Sequence, residues 1–203
     1  MVRHAINCVL LAWLVAGCSD TPPSTGQADY QRYCALCHGE VGQGYLAPRA
    51  NALTNEYFLA AANDEFFRAG IIRGRPGTKM SAWGKVHGGP LNVDQADGII
   101  DWLRTFETSP RFELDESPLQ GDLQSGQQLW QEQCAGCHGE KGGGGLGLSV
   151  QHPIFLETVS DGFLRVSIAL GRPGTAMPGY EEQLSASQID SLVRAIRAME
   201  ALP

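Results

Sequence analysis

Apolar residues recur along this chain at the three- and four-residue spacing of amphipathic helices. Ile99, Ile100, Leu103 and Phe106 share one helical face, preceded by Asn92 as candidate N-cap. Ile189, Leu192, Val193 and Ile196 do the same, with Ser185 or Ser187 as cap. Two further helices are predicted to start near Asp64 and Asp161 and to end at Gly74 and Gly171. Each of these glycines precedes Arg-Pro, the pattern of a left-handed glycine cap followed by a residue that cannot continue the helix. No segment alternates apolar and polar positions convincingly, and no Asn-Gly hairpin signal occurs. The expected fold is all-α.

The first apolar run belongs to a different class. Arg3 precedes Cys8–Ala16 (CVLLAWLVA), a stretch too short to cross about 30 Å of hydrocarbon as a helix. Residues 1–17 therefore read as a signal peptide. Leu14-Val15-Ala16-Gly17-Cys18 resembles the bacterial lipobox, which implies cleavage before Cys18 and its lipidation. That places the protein on the periplasmic side of a bacterial membrane, held by a lipid anchor. Ser19, where an Asp would imply inner-membrane retention, favours the outer membrane. The alternative is an ordinary signal peptide cut elsewhere, with Cys18 left free or lost. Residues 18–27 are small and polar, the composition of a flexible tether. No later stretch approaches about 18 apolar residues, so no other segment is expected to span a bilayer.

The remainder is one unit written twice, which reframes the fold. Tyr30–Glu40 parallels Trp130–Glu140, Phe66–Met80 parallels Phe163–Met177, and Leu91–Phe106 parallels Leu184–Met199. The offset falls from 100 to 97 to 93, so unit one carries two small insertions. One lies before the middle helix, and the other, after Met80, contributes most of Gly84–Gly89. The reading is a domain over 28–106, a linker over 107–121 with two prolines and four acidic residues, and a second domain over 122–203. Domains of about 80 residues bury little of their own surface and profit from a large apolar ligand.

Composition narrows the function. With 43% hydrophobic and 18% charged residues among 203, the chain is globular, and its 25 glycines and 11 prolines imply many loops. A net charge of −7 without any Lys/Arg run is no footprint for nucleic acid. It suits docking on basic patches of a protein partner.

Four of the six cysteines form Cys34-Ala-Leu-Cys37-His38 and Cys134-Ala-Gly-Cys137-His138. Cys-x-x-Cys-His is the attachment signature of c-type haem. Two thiols three positions apart on a helix can form thioethers with the two vinyl groups, and the next residue aims its imidazole at the iron. A Cys₄ zinc site or a redox dithiol are the alternatives. Against them, a His follows both pairs, the pairs lie in separate repeats, and no βαβ pattern is present.

With these motifs, the Gly-Arg-Pro-Gly-Thr-x-Met loops at 74–80 and 171–177, and the C-terminal helix of each unit, the chain resembles the class I cytochrome c family. It is similar to the tandem dihaem members, cytochrome c4 and the dihaem subunit of cbb3-type oxidases, over residues 28–203. Unlike that oxidase subunit it shows no membrane helix, which counts against its being the same protein. The resemblance implies two covalently bound haem c groups, with His38 and His138 as proximal iron ligands. It also implies Met80 and Met177 as the sixth ligands. A soft thioether favours Fe(II) and raises the potential.

Met80 is followed by Ser81 where Met177 is followed by Pro178, so His87 in the inserted loop competes as ligand, and Lys79 more weakly. His152 is expected at the surface or beside a ligand. Family members often use a proline carbonyl to accept the proximal His N–H, which points to Pro48, whereas position 148 is Leu. Arg75 and Arg172 are candidate partners of the haem propionates, and Trp102 is expected simply to pack. No nucleophile–base set, phosphate loop or additional metal cluster is visible. The expected function is one-electron transfer between periplasmic or membrane-bound respiratory partners such as an oxidase, reductase or dehydrogenase complex. The alternative is a dihaem oxidoreductase, thiosulfate dehydrogenase-like or peroxidase-like, with one labile distal ligand.

Overall fold

The computed structural model describes residues 25–199. The predicted signal peptide, lipidation at Cys18 and most of the tether lie outside these described residues. Unit one comprises α1 (Thr25–Tyr33), α2 (Ala35–His38), α3 (Glu56–Ala61), α4 (Asp64–Arg73) and α5 (Val93–Arg104). Unit two repeats them as α6 (Leu123–Leu129), α7 (Ala135–His138), α8 (Pro153–Thr158), α9 (Asp161–Leu170) and α10 (Ala186–Arg197). Among the described residues no strand forms, and Gly84 and Leu91 make an isolated parallel bridge.

Caps set the helix limits, at Asn92 and Ser185 as the sequence predicts. Asn92 and Ser185 each form a capping box, with Gln95 and Gln188 reaching back. Asn63 and Ser160 accept from the N–H groups of Phe66 and Phe163 to start α4 and α9. Gly74 and Gly171 end those helices at φ 64° and 63°, but with extended ψ of −152° and −147° rather than a left-handed helical turn. Only glycine adopts that combination readily. It folds the next loop back along the helix. One boundary shifts: α1 begins at Thr25, so residues 25–27 join the helix instead of the tether.

The reason is Gly26. A Cβ there would lie 1.8 Å from the Gly98 carbonyl oxygen on α5. Gly126 stands in the same relation to the Ser191 oxygen on α10. Each unit thus crosses its first and last helices backbone against backbone, which no larger residue permits. Around that crossing Tyr30, Leu91, Ile99 and Leu103 are fully buried in unit one, and Leu192 and Val193 in unit two. Trp102 packs on Tyr30 with ring centroids 4.4 Å apart and ring planes tilted by 40°. Unit two has Trp130 and Ala195 at the equivalent positions, so the larger ring moves to the other helix.

A part-buried arginine ties each last helix to its middle helix. Arg104 donates to Asp64 (2.8 Å) and to the Leu59 and Ala62 carbonyls (2.8 and 2.6 Å). Arg197 donates to Asp161 and to the carbonyls of Leu156 and Val159, the matching atoms of unit two. Arg68–Asp97 and Arg165–Asp190 form a second duplicated pair, 2.7 Å in both.

The two units pack through their middle helices around an approximate two-fold axis. Phe66 and Phe163, equivalent residues, stack at 5.6 Å with ring planes 24° apart. Phe58 meets Phe163 at 6.4 Å, and Phe155 meets Phe66 at 6.1 Å. Arg73 adds a bidentate pair with Glu157, both bonds 2.8 Å. The segment between α5 and α6 has no helix but is pinned to both units: the Phe112 N–H donates to Ala60, and Glu116 accepts from the Gly162 N–H.

Candidate functional site

Both Cys-x-x-Cys-His segments take one backbone form. Cys34 and Cys134 sit at φ −116° and −117°, followed by the single turns α2 and α7. The turns end at Gly39 and Gly139, with φ of 85° and 82°. No disulfide joins the four cysteines of these turns. Burial pushes the Cys34 thiol up to about 12 and that of Cys134 to about 11. Among the described residues no three His, Cys, Asp or Glu side chains gather to hold a metal, so a shared Cys₄ site does not form.

The segment before each turn is anchored to the segment after it. The Tyr30 hydroxyl donates to the Gly39 carbonyl at 2.7 Å, and the Trp130 indole N–H to Gly139 and Glu140 at 3.2 and 3.1 Å. Gln31 and Gln131 add bonds to the carbonyls of Glu40 and Glu140. The histidine at the end of each turn is thereby held in place.

His38 Nδ1 lies 2.9 Å from the Asn51 carbonyl oxygen, and His138 Nδ1 lies 2.7 Å from that of Leu148. A carbonyl can only accept, so Nδ1 carries the proton and Nε2 is left bare for a metal. Burial also holds His38 below the ordinary imidazole value, against the pull of the Asn51 carbonyl. Pro48 is not the acceptor. Ala47 and Gly147 both donate to the carbonyl of the second cysteine, whereas Asn51 and Leu148 are the next matched pair. The first insertion is therefore Pro48-Arg49-Ala50, beside the acceptor. Position 148 serves as Leu because only its backbone is used.

The two methionine loops share one set of hydrogen bonds. The N–H of Arg75 donates to the Met80 carbonyl (2.7 Å), and that of Arg172 to the Met177 carbonyl (2.9 Å). The Thr78 and Thr175 hydroxyls bond the Arg75 and Arg172 carbonyls and accept from the N–H groups of Met80 and Met177. Both methionines are half-buried, while Lys79 and His87 are exposed, His87 in the three-ten turn Lys85–His87. The chain leaving each loop returns to the residue ahead of the first cysteine. Trp83 packs on Tyr33 at 5.4 Å, and the Tyr180 hydroxyl donates to the Gln133 carbonyl at 3.2 Å.

Arg75 and Arg172 are half-buried and pair with no carboxylate. Arg75 bonds the Gly74 carbonyl and lies over the Phe66 ring, 5.5 Å from its centre. Arg172 bonds the Gly171 carbonyl and Ser167 and lies over Phe58 and Phe163. Burial lowers both guanidinium values to about 10. A buried cation with only neutral partners is costly and calls for an anion. Haem propionates are anions of the right kind, so these residues fit the group that the cysteine pairs imply.

The site residues that sequence reasoning missed act through the backbone or through duplication. Asn51 and Leu148 lend carbonyls, which any residue type supplies. Tyr30 with Trp130, Trp83 with Tyr180, and Arg104 with Arg197 are matched pairs that the repeat alignment alone could have found.

The family model "Cytochrome C oxidase, cbb3-type, subunit III" matches residues 21–103 and 121–194, one segment in each unit. The chain is 27% identical over 185 residues to the cbb3-type cytochrome c oxidase subunit CcoP of Azospirillum sp. (strain B510), covering 82% of this chain and 58% of that protein. It is 28% identical over 200 residues to CcoP of Azospirillum brasilense, covering 90% and 61%. The chain thus spans about three-fifths of the length of these curated relatives. Among solved structures, the Kuenenia stuttgartiensis reducing HAO-like protein complex matches with a TM-score of 0.52 and 21% identity, covering 87% of this chain and 96% of that one. That likeness concerns the fold. Two Cys-x-x-Cys-His turns with bare Nε2 atoms, inside the two matched segments, agree with the family model: the chain belongs to the cbb3-type cytochrome c oxidase subunit III family and carries two covalently bound haem c groups.

Proposed function

We propose that this protein passes electrons one at a time between respiratory redox partners and performs no substrate chemistry of its own. Thioethers at Cys34 and Cys37 hold the first haem, and those at Cys134 and Cys137 the second. His38 and Met80 would hold the iron in unit one, as His138 and Met177 would in unit two. When bound, the haems supply the reversible Fe(III)/Fe(II) couple. The chain holds Nε2 bare through Nδ1, fixes each methionine loop, and offsets propionate charge with Arg75 and Arg172. With His and Met on each iron, no coordination position remains for a substrate.

The observation that carries this reading is the identity of the two methionine loops. Bond for bond, the Met80 loop repeats the Met177 loop, despite Ser81 and the insertion that follows. His87 stands apart in an exposed turn, which supports Met80 as ligand. Both arginines lie on the shared phenylalanine cluster, so the haems approach one another across it. Relatives named as oxidase subunits favour an oxidase or reductase complex as partner. No helix among the described residues is long and apolar enough to cross a membrane. Attachment is assigned to lipid on Cys18, on the periplasmic side.

Carbon monoxide added to the reduced protein tests this. Two low-spin haems that bind it only slowly, as their methionines dissociate, agree with a carrier. A haem that binds it rapidly contradicts the proposal and marks a dihaem oxidoreductase with a labile ligand.

A further inference from the structure

Each methionine loop is touched by the other unit. Asn55 Nδ2 donates to the Pro173 carbonyl at 2.8 Å, inside the loop that carries Met177. His152 Nε2 lies 3.0 Å from the Pro76 carbonyl, inside the loop that carries Met80. Asn55 and His152 are equivalent residues, as are Pro76 and Pro173. The contact is therefore reciprocal about the approximate two-fold axis.

Both donors also start a helix. Asn55 Oδ1 accepts from the Phe58 N–H at 3.1 Å, and His152 Nδ1 accepts from the Ile154 N–H at 3.2 Å. The two roles fix each other. With Nδ1 used as an acceptor, the neutral His152 ring must carry its proton on Nε2, which points at a carbonyl that can only accept. An asparagine does the same with one oxygen and one amide nitrogen. Two different side chains thus solve one geometric requirement, cap here and donor there, at matched positions. A coincidental surface contact gives no reason for that.

We propose that the units brace each other's iron-ligand loops: Asn55 of unit one positions the Met177 loop, and His152 of unit two positions the Met80 loop. The inference rests on methionine ligation as read above. Proline at 76 and 173 offers no N–H, and the next residues, Gly77 and Gly174, have φ of 82° and 78°. From within, each loop is closed by the threonine hydroxyl bonds and by the backbone bond from Arg75 to Met80, or from Arg172 to Met177, and none of these reaches the proline carbonyl at its tip. A donor from the partner unit limits how far the loop, and its methionine, can lift from the iron. Ligand exchange at one haem then depends on the opposite domain.

Serine tests this, because it caps a helix well but is too short to reach across and brings no charge. Asn55→Ser should raise the carbon monoxide binding rate at haem two and leave haem one unchanged; His152→Ser should do the reverse. Losing one hydrogen bond at the rim of an interface predicts an increase of roughly three- to tenfold. Met80→Ala and Met177→Ala, followed by the methionine methyl resonances of the reduced protein, assign each signal to its haem. His152→Asn, which restores cap and donor together, should behave as the wild type.

A crossed pattern with rescue supports the brace. An effect in the variant's own unit, or none, overturns it while methionine ligation stands. Silent Met→Ala references overturn ligation itself, and the brace with it.

Discussion

A histidine presents to a metal whichever ring nitrogen its surroundings leave free, and here a backbone carbonyl decides that for both His38 and His138. Charge at single residues is as consequential. Arg104 is 10% exposed and holds Asp64 and two carbonyls, while Arg197 makes the matching bonds at 29% exposure. Arg104→Met should lower the stability of the holoprotein by about 2–3 kcal/mol in denaturant titration, and Arg197→Met by less. Equal or reversed losses would show that burial does not set the cost. His152 gives a pH dependence. Burial holds it below its ordinary value, helped by Arg75 and Arg73 and opposed by the Pro76 carbonyl. The folded state therefore takes up the proton later than the unfolded state. Its stabilisation is present above the ordinary value of 6.5 and is lost as pH falls through the lowered one. Thermal midpoints measured from roughly pH 7 to 5 should fall more steeply in the wild type than in His152→Asn. Parallel curves would remove His152 from the account.

At the scale of elements, the last helix of each unit and its cap, Asn92 or Ser185, were legible because capping chemistry is local, whereas the caps Asn63 and Ser160, which also act within three residues, are supplied by the structure. The haem turns were legible because a covalent motif needs fixed spacing. Crossings and carbonyl acceptors were not, since they depend on which backbone comes near. Pro48 failed as acceptor because it falls within an insertion that alignment by side chain could not place. Gly26 read as tether although it is the contact point of α1 with α5. Gly26→Ala and Gly126→Ala should each force their crossing apart and cost about 1–3 kcal/mol by denaturant midpoint. Gly136→Ala, with nothing within 4 Å of the added Cβ, should leave stability unchanged. If all three variants behave alike, close helix approach is not what holds the units.

At the scale of the molecule, duplication is what gives the single-chain reading its force. The hydrogen bonds within the Met177 loop recur within the Met80 loop, and half-buried guanidiniums recur beside them at Arg75 and Arg172. The phenylalanine cluster then joins two matched redox units into one body. The near-infrared methionine–iron charge-transfer band of the oxidised protein, measured per haem during a redox titration, tests this most directly. Two haems, each showing the band and each taking one electron, are predicted. A single band for two haems, with Met80→Ala spectrally silent, would contradict it.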